Sequence, residues 1–202
     1  MTIRSSASSV VESVALRDDQ VKLGLWMFLA TVTMLFAAFT SAYIVRRSGS
    51  DWRPVALPSV LWWNTAVLAA SSVAVEIANW YGRPEGLHYG RMNVARTAST
   101  LAMLVALALG VVFLVGQVEA WRQMRAAGVY LPTSPHSSFF FMLTGAHAVH
   151  VVAALVVLAW GTAGSVRVRE PRRWAARMSL CRTFWHYLGA VWVFLFALVS
   201  LY

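Results

Sequence analysis

Hydrophobic positions along the chain fall into five long blocks separated by short polar stretches. The blocks cover about residues 21–45, 59–80, 98–118, 138–160 and 183–202. Each is close to the ~20 residues that a helix needs to cross ~30 Å of hydrocarbon at 1.5 Å per residue. None shows the two-residue alternation of a membrane barrel strand, and a lipid-exposed backbone must satisfy its own hydrogen bonds, so all five are predicted helices. Gly49, Pro54 and Pro58 punctuate the first connection, Gly82 and Pro84 the second, and Pro132 and Pro135 the third. Tyr43, Trp52, Trp62, Trp63, Trp80, Tyr81, Trp121, Trp160, Trp174, Trp185 and Tyr202 gather near block ends, as aromatic side chains do at membrane interfaces.

Composition agrees with this pattern. Of the 202 residues, 59% are hydrophobic and only 12% charged, about half the charged share of an ordinary globular chain. A soluble domain would lack the polar surface to cover such a core. The expected architecture is an all-α bundle of five transmembrane helices. Residues 1–20 form a polar N-terminal tail and 21–202 a single membrane domain without internal repeats. The tail has no unbroken apolar run and does not read as a cleaved signal peptide.

Charge then orients the bundle. The net charge of +9 suggests nucleic acid until its placement is considered: the basic residues lie between the blocks, where topology and anionic headgroups account for them. Twelve Lys and Arg fall on the side of the N-terminus and five on the other, and the loop 161–182 alone holds six arginines. That imbalance puts the N-terminus in the cytoplasm and the C-terminus outside, periplasmic in a bacterium. Cys181 is the single cysteine, which excludes an internal disulfide framework.

Ionisable side chains inside a span are expensive and therefore candidates for function. His147 and His150 lie three apart in the fourth block and share a face. Their functional reading is haem or metal ligation, with His186 of the fifth block as a second ligand. Two histidines on one helix cannot grip a haem from both sides. His186 lies within a turn of the cytoplasmic end, whereas His150 lies ~18 Å from the outer one. The structural reading is that these histidines hydrogen-bond across helices. Glu76 and Glu119 read either as proton-relay carboxylates or as groups paired or neutral near the headgroups, with Arg122 and Gln123 close to Glu119. Ala37, Ala38 and Ser41, with Gly145, Ala148, Ala153 and Ala154, are small enough to let helices approach closely. Arg167 and the basic loop beyond it read as a topology signal and as a phospholipid headgroup site.

Several segments, taken in order, resemble subunit III of the haem–copper terminal oxidases in its short five-helix bacterial form. They are GLWMFLA (24–30), SAY (41–43), NT (64–65), SS (71–72), GQVEAW (116–121), SSFFFMLTGAHAVHV (137–151) and FWHYLGAVW (184–192). The resemblance implies a subunit without catalytic or redox centres, in the bacterial inner membrane. Haems and copper would reside in partner subunits and no cofactor in this chain. Its implied partners are subunits I and II, structural phospholipids held in a cleft between its helices and, where one forms, a larger respiratory supercomplex, with no nucleic acid. The implied role is to flank subunit I and support proton uptake and the durability of an oxygen-reducing, proton-translocating core. By the same resemblance His147, His150, Glu119 and His186 line the cleft or its neighbouring helices, Glu76 is grouped with them as an interhelical candidate, and Arg167 contacts a lipid phosphate. Three positions depart from the family pattern. Val32 stands where a buried glutamate is usual in F-L-x-x-E, Gly189 where the last motif commonly has aspartate, and Ala148 where glycine is common. The missing carboxylate leaves open a relative that accompanies a nitric oxide reductase. A stand-alone transporter would predict symmetry or broken helices, and a b-type cytochrome would use the histidines.

Overall fold

A computed structural model describes residues 3–82, 89–167 and 171–201, with side chains over 20–82, 94–163 and 177–201. Five helices account for nearly all of it: α1 Ile3–Arg47, α2 Val60–Tyr81, α3 Tyr89–Ala126, α4 Pro135–Arg167 and α5 Pro171–Leu201. Each contains a stretch long and apolar enough to cross a membrane: Gln20–Arg47, Val60–Tyr81, Val94–Ala126, Pro135–Ala163 and Arg177–Leu201. The five expected spans are thus present; the second matches its hydropathy block in length and the other four run longer, the third most of all. The backbone of α1 is already helical from Ile3, through the segment expected as a polar tail, and its apolar part starts at Gln20.

The helices α2, α3, α4 and α5 form a closed ring in which each packs on the next and α5 returns to α2. α1 lies outside the ring against α4 and α5. The closest pairing is α2 with α3, and its cause is visible in the sequence. Asn64 Nδ2 donates to the Phe113 carbonyl at 3.3 Å, Ser71 Oγ to that of Ala106 at 2.9 Å, and Ser99 Oγ to that of Ala78 at 2.6 Å. Positions 64, 71 and 78 on one helix and 113, 106 and 99 on the other repeat every seven residues. That period keeps one seam of two antiparallel helices in contact. Gly116 completes the seam, because a Cβ there would fall on the Asn64 carboxamide. Gly161 does the same between α4 and α5, where a Cβ would sit 2.6 Å from Cys181 Sγ.

These contacts differ from the small-residue expectation. Ala37, Ala38, Ser41 and Ala153 are exposed in this chain, and a Cβ on Gly145 would meet nothing within 4 Å. Only Ala154 of that set is buried. The close approaches use Gly110, Gly116 and Gly161 instead, where Trp185 with Leu155, Asn64 and Cys181, respectively, fill the space from neighbouring helices.

Local signals set the helix ends. α3 stops at Gly128, whose φ of +77° suits glycine. Val129 N bonds back to the Met124 carbonyl at 2.9 Å and Gly128 N to that of Arg125 at 3.0 Å, the paired bonds of a Schellman terminus. α4 starts with Ser134 before Pro135. Ser137 N donates to Ser134 Oγ at 3.2 Å while Ser134 N donates to Ser137 Oγ at 3.0 Å, so each serine satisfies an amide the other leaves open.

Candidate functional site

Two groups of ionisable side chains stand out inside the spans. Near the Trp80 end of the bundle, Glu76 of α2 meets α5. Its Oε1 accepts from Arg182 Nε at 2.6 Å, and His186 Nε2 lies 2.6 Å from the same oxygen. The three side chains are each between 36% and 43% exposed, and Glu76 and His186 border a groove of about 630 Å³ with Ser72, Asn79, Trp80 and Tyr81. Charges in a span are normally paired, and here one carboxylate serves two cationic or proton-donating partners. Arg177 stacks over the Trp160 ring 4.4 Å from its centroid, an anchor suited to the interface at the same end.

At mid-span the histidines of α4 diverge. His147 is 1% exposed and boxed by aromatic rings: Phe36 of α1, Phe113 of α3 and Trp192 of α5, with centroids 6.4, 6.0 and 5.2 Å away. Neither of its ring nitrogens has a hydrogen-bond partner among the described residues. His150 is half-buried toward α1, between Phe28 and Phe36. Its Nδ1 lies 2.7 Å from the Ala146 carbonyl, a pure acceptor, so Nδ1 carries the proton. The two histidines share the α1 side through Phe36, as their spacing implies. The bond across helices that was expected of the histidines is made by His186 alone. His150 bonds within its own helix, and His147 bonds to nothing described.

Glu119 lies at the opposite end, where its Oε1 accepts from Gln123 Nε2 at 3.1 Å on the same helix. It is not joined to Glu76 by any described group, and the two sit near opposite ends of antiparallel helices. Val32 is buried at 2% exposure, one turn from both Phe28 and Phe36, beside the histidine-bearing face of α4. The side chain of Arg167, last residue of α4, lies outside the described residues, as does most of the basic loop. Among the described residues no three His, Cys, Asp or Glu side chains group as ligands to a metal ion would.

Two features of this interior were not singled out from sequence. Arg182 is one, since its partner Glu76 is 106 positions away. The other is His136 at the start of α4, buried at 1% exposure under Trp52 and Tyr43, whose Nδ1 accepts from Val55 N at 3.4 Å. It locks the loop between α1 and α2 onto α4. Its position directly after Pro135 at a helix start was the available signal.

An apolar groove of about 620 Å³ runs between α1 and α5, lined by Phe36, Ala37, Ile44, Val191 and Phe194, with Thr33 Oγ1 and Tyr187 OH 2.8 Å apart at one side. Ring-packed helices, a peripheral first helix and paired ions near one end describe a multi-pass membrane protein. The comparisons then give its family. The cytochrome c oxidase subunit III family matches the chain over residues 5–202, and the chain belongs to that family. It is 26% identical over 204 residues to the probable quinol oxidase subunit 3 of Staphylococcus aureus (strain USA300), covering 96% of this chain and 95% of that one. It is 25% identical over 216 residues to the cytochrome c oxidase subunit 3 of Thermostichus vulcanus, covering 98% and 96%. The protein is therefore a subunit III of the haem–copper oxidase kind, with a place in a terminal oxidase complex alongside other oxidase subunits.

Proposed function

We propose that this chain is the non-redox subunit III of a respiratory terminal oxidase in a bacterial inner membrane. In this reading it packs against subunit I, holds structural phospholipid, and sustains proton uptake by a core that carries the haems and copper. It lies with its N-terminus in the cytoplasm and its C-terminus in the periplasm. The observation that carries the reading is the agreement between a family match over residues 5–202 and five spans arranged as a ring plus one flanking helix. The interior supports a non-catalytic role, because His147 is sealed in a box of aromatic rings and His150 is tied to its own backbone. The groove between α1 and α5 supports the lipid role: its walls are aliphatic and aromatic, as acyl chains require, and it opens on the outside of the ring. The reading does not depend on the electron donor, since relatives named for quinol and for cytochrome c match the chain alike.

Purification from native membranes through a C-terminal tag, followed by a reduced-minus-oxidised spectrum, tests it. Haem a or haem o bands on a large co-purifying partner are expected. Only b and c haems would transfer the chain to a nitric oxide reductase. A colourless protein that crosslinks to no partner before extraction would overturn the proposal.

A further inference from the structure

Gln117 of α3 and His147 of α4 are each 1% exposed. All four of their polar side-chain atoms, Nε2 and Oε1 of Gln117 with Nδ1 and Nε2 of His147, lack a hydrogen-bond partner among the described residues. A buried polar atom left unpaired costs about 1–3 kcal/mol, and native interiors hold few of them. Four such atoms on two side chains need an explanation.

The packing of α3 on α4 brings the two together. Phe113 touches His147, and Trp121 Nε1 donates to Thr144 Oγ1 at 3.0 Å. Gln117 lies midway between Phe113 and Trp121, one turn from each, on the side of α3 that faces α4. Gly116, about 100° around the helix, faces Asn64 of α2 instead. Gln117 is thereby placed against the turn of α4 that runs from Thr144 to His147.

Neighbouring polar groups are already engaged. Thr144 Oγ1 donates to the Phe140 carbonyl at 2.6 Å while accepting from Trp121. Trp192 Nε1 donates to Thr65 Oγ1 at 3.0 Å. Phe36, Phe113 and Trp192 present their rings to His147 and offer its nitrogens no hydrogen bond.

We propose that Gln117 and His147 form a binding site for an internal water molecule, which bridges the amide to the imidazole. Water is the ligand whose chemistry fits. The amide supplies two donors and an acceptor, the neutral imidazole one of each, and water can answer either kind at once. Two to four polar partners are what a buried water requires, and these two side chains provide them. The bridge gives α3 and α4 a polar tie at mid-span beside the Trp192–Thr65 tie of α5 to α2. It is internal to the chain and holds whether or not the oxidase reading does.

Two measurements on the intact, natively purified complex test it. A high-resolution density map should contain a peak within ~3.2 Å of both the Gln117 amide and a His147 nitrogen. In parallel, Q117L should raise the ratio of dissociated to retained subunit after mild heating roughly tenfold, the effect of leaving a buried polar atom of His147 unpaired. The Q117L/H147F double variant should lose much less than the sum of its two single variants, because neither orphan then remains. Side chains bonded directly to each other with no peak between them would overturn the proposal. So would a dry gap, or two substitutions whose effects simply add. The map of the unaltered protein decides the matter even where a variant fails to accumulate.

Discussion

Glu76 shows what a single side chain can be asked to do inside a span. Its Oε1 is shared by Arg182 and His186, so removing its charge leaves the guanidinium inside the span without its counter-ion. Exposed pairs contribute up to ~1 kcal/mol and broken buried ones cost ~3–5 kcal/mol. This cluster is about two-fifths exposed, so E76Q should cost about 1–2 kcal/mol. E76Q/R182Q should cost less than E76Q alone, because the stranded cation goes with it. Thermal retention of the subunit on its complex reads both, and equal losses would show that the pair is not coupled. Asp51 is the contrasting case outside the spans. Its carboxylate accepts from Arg46 Nη1 at 2.7 Å, and that hydrogen bond holds its pKa below the ordinary 3.8. A carboxyl with a depressed folded pKa adds stability above its unfolded value and loses it as pH falls through the folded one. The turn at 48–52 should therefore keep its order at neutral pH and loosen only below about pH 4. Protease cleavage within that turn, followed from pH 7 to pH 3, measures this; loosening already at pH 6 would mean another group is in control.

The seam between α2 and α3 is the element-scale determinant of the bundle. Three side-chain-to-carbonyl bonds seven residues apart, plus Gly116, let two helices close without large side chains between them. Single membrane hydrogen bonds average ~0.6 kcal/mol, so S71A should be mild. G116V should be far worse, because overpacking adds about 1–3 kcal/mol and displaces Asn64 from its bond. Accumulation in the membrane should fall severalfold for G116V and little for S71A; the reverse order would place the critical contact elsewhere. Much of this architecture is legible in the sequence, and the exceptions have physical reasons. Hydrophobic blocks reveal each span because burial in lipid selects apolar residues irrespective of neighbours. The block at 98–118 stops short of Ala126 because Gln117, Glu119 and Arg122 lower the window average, while the helix continues through them. The Glu76–Arg182 pair and the aromatic box of His147 depend on which helices become neighbours, and no local pattern encodes that. The small residues expected to pack, Ala37, Ala38 and Ser41, face outward in this chain. Ala37 and Ser41 border the groove between α1 and α5.

At the scale of the whole molecule, an odd number of spans makes orientation a single binary quantity with consequences at every loop. Six arginines between positions 161 and 182 outweigh any other loop, and the positive-inside bias assigns that side to the cytoplasm. In the proposed orientation, Arg182, Glu76 and Trp80 lie at the cytoplasmic end of their helices, and Asp51, Glu119 and Gly128 at the periplasmic end. Cys181 is buried at 2% exposure, with its thiol toward the Val157 carbonyl at 3.5 Å, so the native chain offers little background to thiol reagents. Single cysteines placed at exposed positions therefore report sidedness cleanly. S50C and A127C should react with a membrane-impermeant maleimide on intact spheroplasts, and V94C only after the membrane is opened. Labelling of V94C alone on intact spheroplasts would invert the molecule. The Glu76 cluster would then face the periplasm, and the positive-inside assignment would fail where the charge bias is largest. The expected pattern instead puts Glu76, Arg182 and His186 toward the cytoplasmic surface, and leaves the His136-locked loop at the opposite one.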